Sequence, residues 1–329
     1  MIHEIEPLKY DPEYRNREAK GEDTALVYNG KAGILTAYRD GTYFLPSVND
    51  INLLTEEITK VSIGTADMTN TEDIVNSENA VFEVNATNTG GKYFLFKIDN
   101  KGYYLMELPE SVNRNISFVK TTDDEPSTDT LYKGMYIYMS IHRFRELDPV
   151  AMVFAGATGF HIRNWRENVR FCGCCGAPTR ASETERAFVC TKCGYTAYPQ
   201  VAPAVIVAII NKERILLVRN LRRPKNVRLE LVSGYVEVGE SFEHAVHREV
   251  LEEVGLHVKN LRFYKDQPWG ISGAHMIGYV AEVDGDDTVV RQEDEISEAR
   301  WYSREEIPEY RNRLSVGSEM ISRFKEGLL

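Results

Sequence analysis

All five cysteines of this 329-residue chain fall between Cys172 and Cys193, and no other feature limits its folding as tightly. Disulfides that brace a secreted fold are spread along a chain. A cluster this compact points instead to thiolates gathered on a metal in a reducing compartment. Cys172-x-x-Cys175 is followed by fourteen residues and then by Cys190-x-x-Cys193. Two such turns deliver the four soft ligands that tetrahedral zinc takes. Cys174 makes the first pair ambiguous, and the glycines decide it. Gly176 and Gly194 directly follow Cys175 and Cys193, where glycine eases a turn that aims backbone amides at thiolates. The expected ligands are Cys172, Cys175, Cys190 and Cys193, with Cys174 spare and scattered buried thiols as the alternative. With four protein ligands the zinc is structural, since no position stays open for water.

The formal charge of −11 argues against a non-specific nucleic-acid binder, which needs a basic face. It still permits a polyphosphate substrate if metal ions intervene. The opening MIHEIEPLKYDPEYRNREAKGED lacks the apolar stretch of a secretory signal, and the longest apolar run, Val201 to Ile210, is broken by Pro203. That run is about half the length of a membrane span. A cytoplasmic protein without membrane contact is the expectation.

The length allows two domains and a large core. The first part reads as β-rich, with hairpin signals at Asn29-Gly30, Asp40-Gly41 and Asp99-Asn100-Lys101-Gly102. Polar stretches at Thr65–Gly91 and Thr121–Thr130 read as loops, and Asp148-Pro149 opens a helix with proline at its first position. This predicts a β-rich domain over 1–168, a zinc ribbon over 169–199 and an α/β domain over 200–329. In the last, APAVIVAII, RILLVRN, LELVSGYVEVGE, HMIGYVAEV and ARWY supply strands, a helix starts near Ser241, and another follows Pro308.

The helix after Ser241 contains HREVLEEVGL, which puts Glu249, Glu252 and Glu253 within five positions. At about 100° per residue they share one arc, beside the stripe Val246, Val250 and Val254 that docks the helix. Like charges so placed destabilise a helix by roughly 0.2–0.5 kcal/mol per pair. Taken alone they could be a solvated acidic face, or a carboxylate cluster for the hard cations Mg²⁺ and Mn²⁺. The flanking residues favour the cluster. From Gly234, five residues lead to Glu240 and seven more to Arg248-Glu249, then Val250, Leu251, Glu252-Glu253, Val254, Gly255 and Leu256. This matches every fixed position of the Nudix box, G-x5-E-x7-R-E-U-x-E-E-x-G-U with U apolar.

A zinc ribbon ahead of a Nudix box resembles the NADH pyrophosphatase (NAD diphosphatase) family, and the likeness runs from about Arg143 to Phe324. The segments NVRFCGCCG and GYTAYPQVAPAVIVAI join the two parts as in that family. The family's S-Q-P-W-P-F-P-x-S segment is half kept: Gln267, Pro268 and Trp269 match, while Asp266, Gly270, Ile271, Ser272 and Ala274 depart. The resemblance implies a Nudix α/β/α sandwich with a mixed sheet. It also implies metal-dependent hydrolysis of the pyrophosphate bond of NAD(H) to AMP and nicotinamide mononucleotide. Other pyrophosphate substrates are the alternative: an NAD-capped RNA 5′ end, ADP-ribose, FAD or a dinucleoside polyphosphate.

The same likeness implies that Glu249, Glu253, Glu295 and the Ser233 carbonyl hold Mg²⁺ or Mn²⁺, and that Glu252 is a further ligand or the general base. Arg248 braces a carboxylate. Tyr198 and Tyr235 sandwich a flat ring, unless both are packing residues. Gln267, Trp269, Gly317 and Arg143 join the substrate-binding set, although Trp269 by itself reads more readily as core than as ligand. A homodimer is implied by the resemblance alone.

Overall fold

The computed structural model describes residues 1–14, 17–30, 33–64, 91–119, 131–221, 229–308 and 314–329. The loops expected at Thr65–Gly91 and Thr121–Thr130 lie, Gly91 apart, outside them. The chain divides into two compact units, Ile5–Gln200 and Val201–Leu329, with Met1–Glu4 belonging to the second. Among the described residues no helix is long and apolar enough to cross a membrane.

In the Ile5–Gln200 unit the expected hairpins form. Strands Gly33–Arg39 and Thr42–Phe44 turn at Asp40 and Gly41, both at positive φ (52° and 78°), which a two-residue hairpin of the favoured twist requires. Strands Tyr93–Ile98 and Lys101–Leu105 pair antiparallel about Asp99, and Thr24–Leu26 adds in parallel beyond them. The β-rich expectation omits the helix Val48–Gly64. Its start is a reciprocal cap: the Asp50 carboxylate accepts from Ser47 N–H (2.7 Å) while Ser47 Oγ accepts from Asp50 N–H (3.2 Å). Ile51 and Leu54 then bury against Phe94, Tyr104 and Tyr138. The helix after Asp148-Pro149 runs Val150–Asn168, one residue later than expected, with Pro149 as its cap. Its Trp165 meets Phe188 of the cysteine segment edge-on at 5.4 Å.

The Val201–Leu329 unit is built on a six-stranded sheet in the order Val258–Trp269, Ala274–Val283, Ala202–Asn211, Arg214–Asn220, Ile296–Ser303, with Val232–Tyr235 also paired to Ala202–Asn211. Ala202–Asn211 and Ala274–Val283 run parallel and the other pairs antiparallel. Alternation along Ala202–Asn211 divides the core. Val205, Val207 and Ile209 pack under Val246, Val250 and Val254 of the helix Phe242–Val254. Ile206, Ala208 and Ile210 face Val316, Met320, Ile321 and Phe324 of the helix Val316–Lys325. The result is the expected α/β/α sandwich with a mixed sheet. The strand Val258–Trp269 escapes a reading by hydrophobicity because it is an edge strand with half of its side chains exposed to water.

Candidate active site

The helix Phe242–Val254 begins where Ser241 Oγ accepts from His244 N–H (3.2 Å) and ends at Gly255 in the left-handed conformation (φ 70°). Docking through its valine stripe fixes its rotation, and the next face carries the carboxylates. Val205 pairs with Gly234, whose Cα lies directly beneath Glu249; any Cβ there would overlap the carboxylate. The first glycine of the box is therefore a close-approach glycine rather than a turn glycine.

Arg248 braces three carboxylates rather than one. Its Nε and Nη2 donate to Glu240 (2.9 and 2.8 Å), and its Nη1 donates to Glu249 (2.7 Å) and Glu252 (3.1 Å). Nη2 also donates to the Tyr235 carbonyl (3.0 Å), tying the loop to the strand end. With Arg248, and the Glu237 amide as a second donor, the Glu240 carboxyl is held down to about 2.

Glu253 has the opposite surroundings. Its side chain is 7% exposed, and no described residue donates to its carboxylate. Burial, then the charges of Glu249, Glu295, Glu230 and Glu252, push its carboxyl up to about 8. Burial also raises Glu249, with Glu252 and Glu295 adding to it against the pull of Arg248. Glu295 is brought to this cluster by a backbone chain: Gln292 N–H donates to the Glu253 carbonyl (2.9 Å) and Glu295 N–H to the Gln292 carbonyl (3.2 Å). A buried, unpaired carboxylate among like charges fits a site for hard divalent cations, which would supply the missing positive charge.

The four ligand thiols of the other unit also converge. The sulfurs of Cys172, Cys175, Cys190 and Cys193 all lie within 4.8 Å of one another, with Cys172 to Cys193 at 3.6 Å and Cys175 to Cys190 at 3.5 Å. Tetrahedral zinc with Zn–S of about 2.3 Å separates its sulfurs by about 3.8 Å, so the set fits. Gly176 and Gly194 take φ of 72° and 74°, and the amides of Cys174, Lys192 and Cys193 point at thiol sulfurs. Cys174 stands outside the cluster and is exposed.

Residues 200–324 match the family model of the NUDIX domain, and residues 167–198 match that of the NADH pyrophosphatase zinc ribbon domain. The NAD-capped RNA hydrolase NudC of Haemophilus influenzae (strain PittGG) is 40% identical over 227 residues, covering 68% of this chain and 82% of that protein. The chain belongs to the Nudix hydrolases, in the NADH pyrophosphatase family. The protein of the same name from Salmonella heidelberg (strain SL476) is 42% identical over 169 residues, 51% of this chain and 65% of that one. A solved Nudix hydrolase from Nitrosomonas europaea superposes on 48% of this chain and 90% of its own, at 23% identity and a TM-score of 0.42. The four-cysteine cluster of this Nudix hydrolase is its structural zinc site.

The remaining expected site residues divide by sheet face and by unit. Tyr235, Ala204, Met276 and Gln267 form one cross-strand row, with Ser233 opposite Ile206. Tyr235 is 53% exposed at the strand end, and Trp269 is half-buried in the edge strand, with the strands Ala202–Asn211 and Ala274–Val283 between them. Gln267 lies deeper than the other expected substrate residues of this unit. It is fully buried, with Nε2 donating to the Leu314 carbonyl (2.7 Å) and Oε1 accepting from Val316 N–H (2.8 Å). Its amide fixes the start of the helix Val316–Lys325. Gly317 sits one residue further on, buried against Ile206, where a Cβ would come within 2.7 Å of Cδ1.

Tyr198 and Arg143 belong to the Ile5–Gln200 unit. Tyr198 is 54% exposed and donates to Glu185 (3.1 Å). Arg143 is buried, with Nη2 donating to the Tyr43 hydroxyl (3.3 Å). Sequence reasoning missed the close approach at Gly234 and the clamp by Gln267.

Proposed function

We propose that this Nudix hydrolase cleaves the pyrophosphate bond of NAD(H) to give AMP and nicotinamide mononucleotide. Glu249, Glu253, Glu295 and the Ser233 carbonyl would hold Mg²⁺ or Mn²⁺. The observation that carries the reading is Glu253, a carboxylate buried among carboxylates with no described cation beside it. Bound there, the divalent ions would supply positive charge to offset the transition state and would activate water.

The chain's own residues do the rest. Glu252 is the most solvent-open of the three helix carboxylates, and one of its oxygens is fixed by Arg248. It accepts the proton of the attacking water as oxygen bonds to phosphorus, while the bond from phosphorus to the bridging oxygen breaks and the second nucleotide leaves as a phosphate monoester. Arg248, itself held by Glu240, keeps Glu249 and Glu252 in place as charge shifts. Tyr235 offers a half-exposed ring on which nicotinamide stacks.

The relatives named NAD-capped RNA hydrolase favour a second substrate, the NAD cap of an RNA 5′ end. The charge of −11 gives little attraction to an RNA chain, so the free dinucleotide comes first. A cytoplasmic homodimer completes the reading, the zinc-bound thiols being suited to a reducing compartment. Purified protein with Mg²⁺ or Mn²⁺ is incubated with NADH, NAD⁺, NAD-capped RNA, ADP-ribose and FAD, and AMP release is followed. AMP from NADH is expected, with Glu253→Gln lowering turnover by orders of magnitude. Absence of product from NADH, NAD⁺ and capped RNA alike sinks the proposal.

A further inference from the structure

The Leu314 carbonyl, just ahead of the helix Val316–Lys325, accepts from two distant parts of the chain. Gln267 Nε2 is one donor, and Ile2 N–H is the other (3.1 Å). Ile2 is buried, and Met1 packs against the core that holds Val316, Met320 and Phe324. Residues 1–4 are thereby built into the Val201–Leu329 unit. Glu4 adds a second attachment to the same helix. Lys265 Nζ donates to Glu4 (2.9 Å) and pairs with Glu319 (2.8 Å), and the Tyr264 hydroxyl donates to the same Glu319 oxygen (2.6 Å). In a regular strand Tyr264 and Lys265 would point to opposite faces; the register shift between Phe263 and Asp266 lets both reach Glu319. A pair as exposed as Lys265 and Glu4 adds little stability. One ammonium joining residues 4 and 319 instead fixes where the helix sits. The fit beneath its first turn is close: Gly317 lies against Ile206, and Ile206 pairs with Ser233. The same sheet face carries the row Tyr235, Ala204, Met276 and Gln267.

We propose that Ile2, Glu4 and Lys265 are positioning residues for substrate binding. Acting through Leu314 and Glu319, they hold the first turn of the helix Val316–Lys325 against the sheet face where Tyr235 receives the nicotinamide ring. The choice of substrate rests on the NAD(H) reading given above. A shift of that turn loosens substrate and transition state alike, which raises KM and spares kcat. The carboxylates of the helix Phe242–Val254 lie on the opposite face, so the divalent cations are held as before.

The test compares full-length wild type with Ile2→Ala, Glu4→Ala, Lys265→Met and Lys265→Arg. Steady-state kinetics with NADH and Mn²⁺ are run beside Mn²⁺ binding, read from the electron paramagnetic resonance signal of free Mn²⁺. Hydrogen exchange of the Val316–Met320 amides is followed in parallel. Ile2→Ala, Glu4→Ala and Lys265→Met are expected to raise KM about three- to tenfold, with kcat within about twofold. Their Val316–Met320 amides should exchange faster while the Mn²⁺ Kd stays at the wild-type value. Lys265→Arg, which keeps a cation able to span both carboxylates, should return KM and exchange toward wild type. A lowered Tm with wild-type KM overturns the proposal in favour of a purely structural role. A KM rise accompanied by an equal loss of Mn²⁺ affinity overturns it in favour of general loosening of the unit. Should Ile2→Ala not fold, Ile2→Val and the two surface variants Glu4→Ala and Lys265→Met decide it by the same readings. If wild type releases no AMP from NADH, the substrate reading falls by itself. Exchange then judges the attachment, and wild-type rates in Glu4→Ala and Lys265→Met overturn it.

Discussion

The Glu249 carboxylate lies against the Cα of Gly234, in the space any side chain at that position would occupy. Strand and helix can approach this closely only because residue 234 carries no Cβ. In Gly234→Ala the carboxylate must swing away and lose its 2.7 Å bond from Arg248. Overpacking of this kind costs about 1–3 kcal/mol. Turnover should fall about a hundredfold or more, with weaker Mn²⁺ binding and a Tm lower by several degrees. Wild-type turnover in a folded Gly234→Ala protein contradicts the close-approach account.

Arg248 is the second point of leverage, because one guanidinium spans Glu240, Glu249 and Glu252. Arg248→Ala releases all three, and Glu240 returns from about 2 toward the ordinary carboxylate range. Lysine restores the charge without the planar fork, so Arg248→Lys should recover only part of the function. The expected order of kcat is wild type, then Arg248→Lys, then Arg248→Ala, the last down by about 10²-fold or more. Steady-state kinetics decide it, and equal kcat values for the lysine variant and wild type would refute the fork.

Protonation gives Glu253 a distinct signature. Its folded carboxyl titrates at about 8 in the absence of metal, above the unfolded value of 4.5. A raised acid pKa means that the folded state holds the proton longer than the unfolded state. The metal-free protein is therefore favoured below pH 4.5 and loses that contribution as pH climbs to about 8. In chelator, the Tm of Glu253→Gln should rise relative to wild type between pH 5 and 8, since glutamine never ionises. Mn²⁺ competes with the same proton, so its apparent affinity should weaken roughly tenfold for each pH unit below about 8. Titration calorimetry across that range measures it, and a flat profile contradicts the assignment.

What the sequence disclosed followed the strength of local constraint. The box and the two Cys-x-x-Cys turns are short, with chemistry and spacing coupled, so Glu249, Glu253 and the zinc ligands were legible before any contact was known. The helix Val48–Gly64 was hidden because its sequence is polar at many positions and its signal was only the cap Ser47-Asp50. The strand Val258–Trp269 was hidden because one of its edges is unpaired and water covers much of it. Gln267 was legible as a residue of interest, but its structural role was not. A polar side chain in a family motif looks like a ligand contact until its partners, the backbone groups of Leu314 and Val316, are seen.

Zinc should govern the stability of the cysteine segment. Its strands Thr179–Ala181, Phe188–Cys190 and Thr196–Ala197 contain three, three and two residues, too little to hold themselves together without a metal. Cys190→Ser should abolish stoichiometric zinc, measured by atomic absorption, and lower the Tm of the Ile5–Gln200 unit. Cys174→Ser should leave zinc content and Tm unchanged, because that thiol stands outside the cluster. The opposite pattern would reassign the first ligand pair.

Gln267 gives a test that separates positioning from contact. Its carboxamide satisfies one backbone acceptor and one backbone donor at the start of the helix Val316–Lys325, in a fully buried position. Gln267→Ala leaves Leu314 C=O and Val316 N–H without that partner, at about 1–3 kcal/mol for each buried unsatisfied group. Gln267→Glu keeps the oxygen for Val316 N–H but sets a second oxygen against the Leu314 carbonyl, so it should be at least as damaging at neutral pH. Gln267 lies in one cross-strand row with Tyr235, and the helix it clamps carries Gly317. Loosening that helix should therefore raise KM for NADH several-fold while Mn²⁺ affinity, set by carboxylates on the opposite face, stays near wild type. A direct substrate contact would instead leave the Tm of Gln267→Ala unchanged, and differential scanning fluorimetry beside steady-state kinetics tells the two apart.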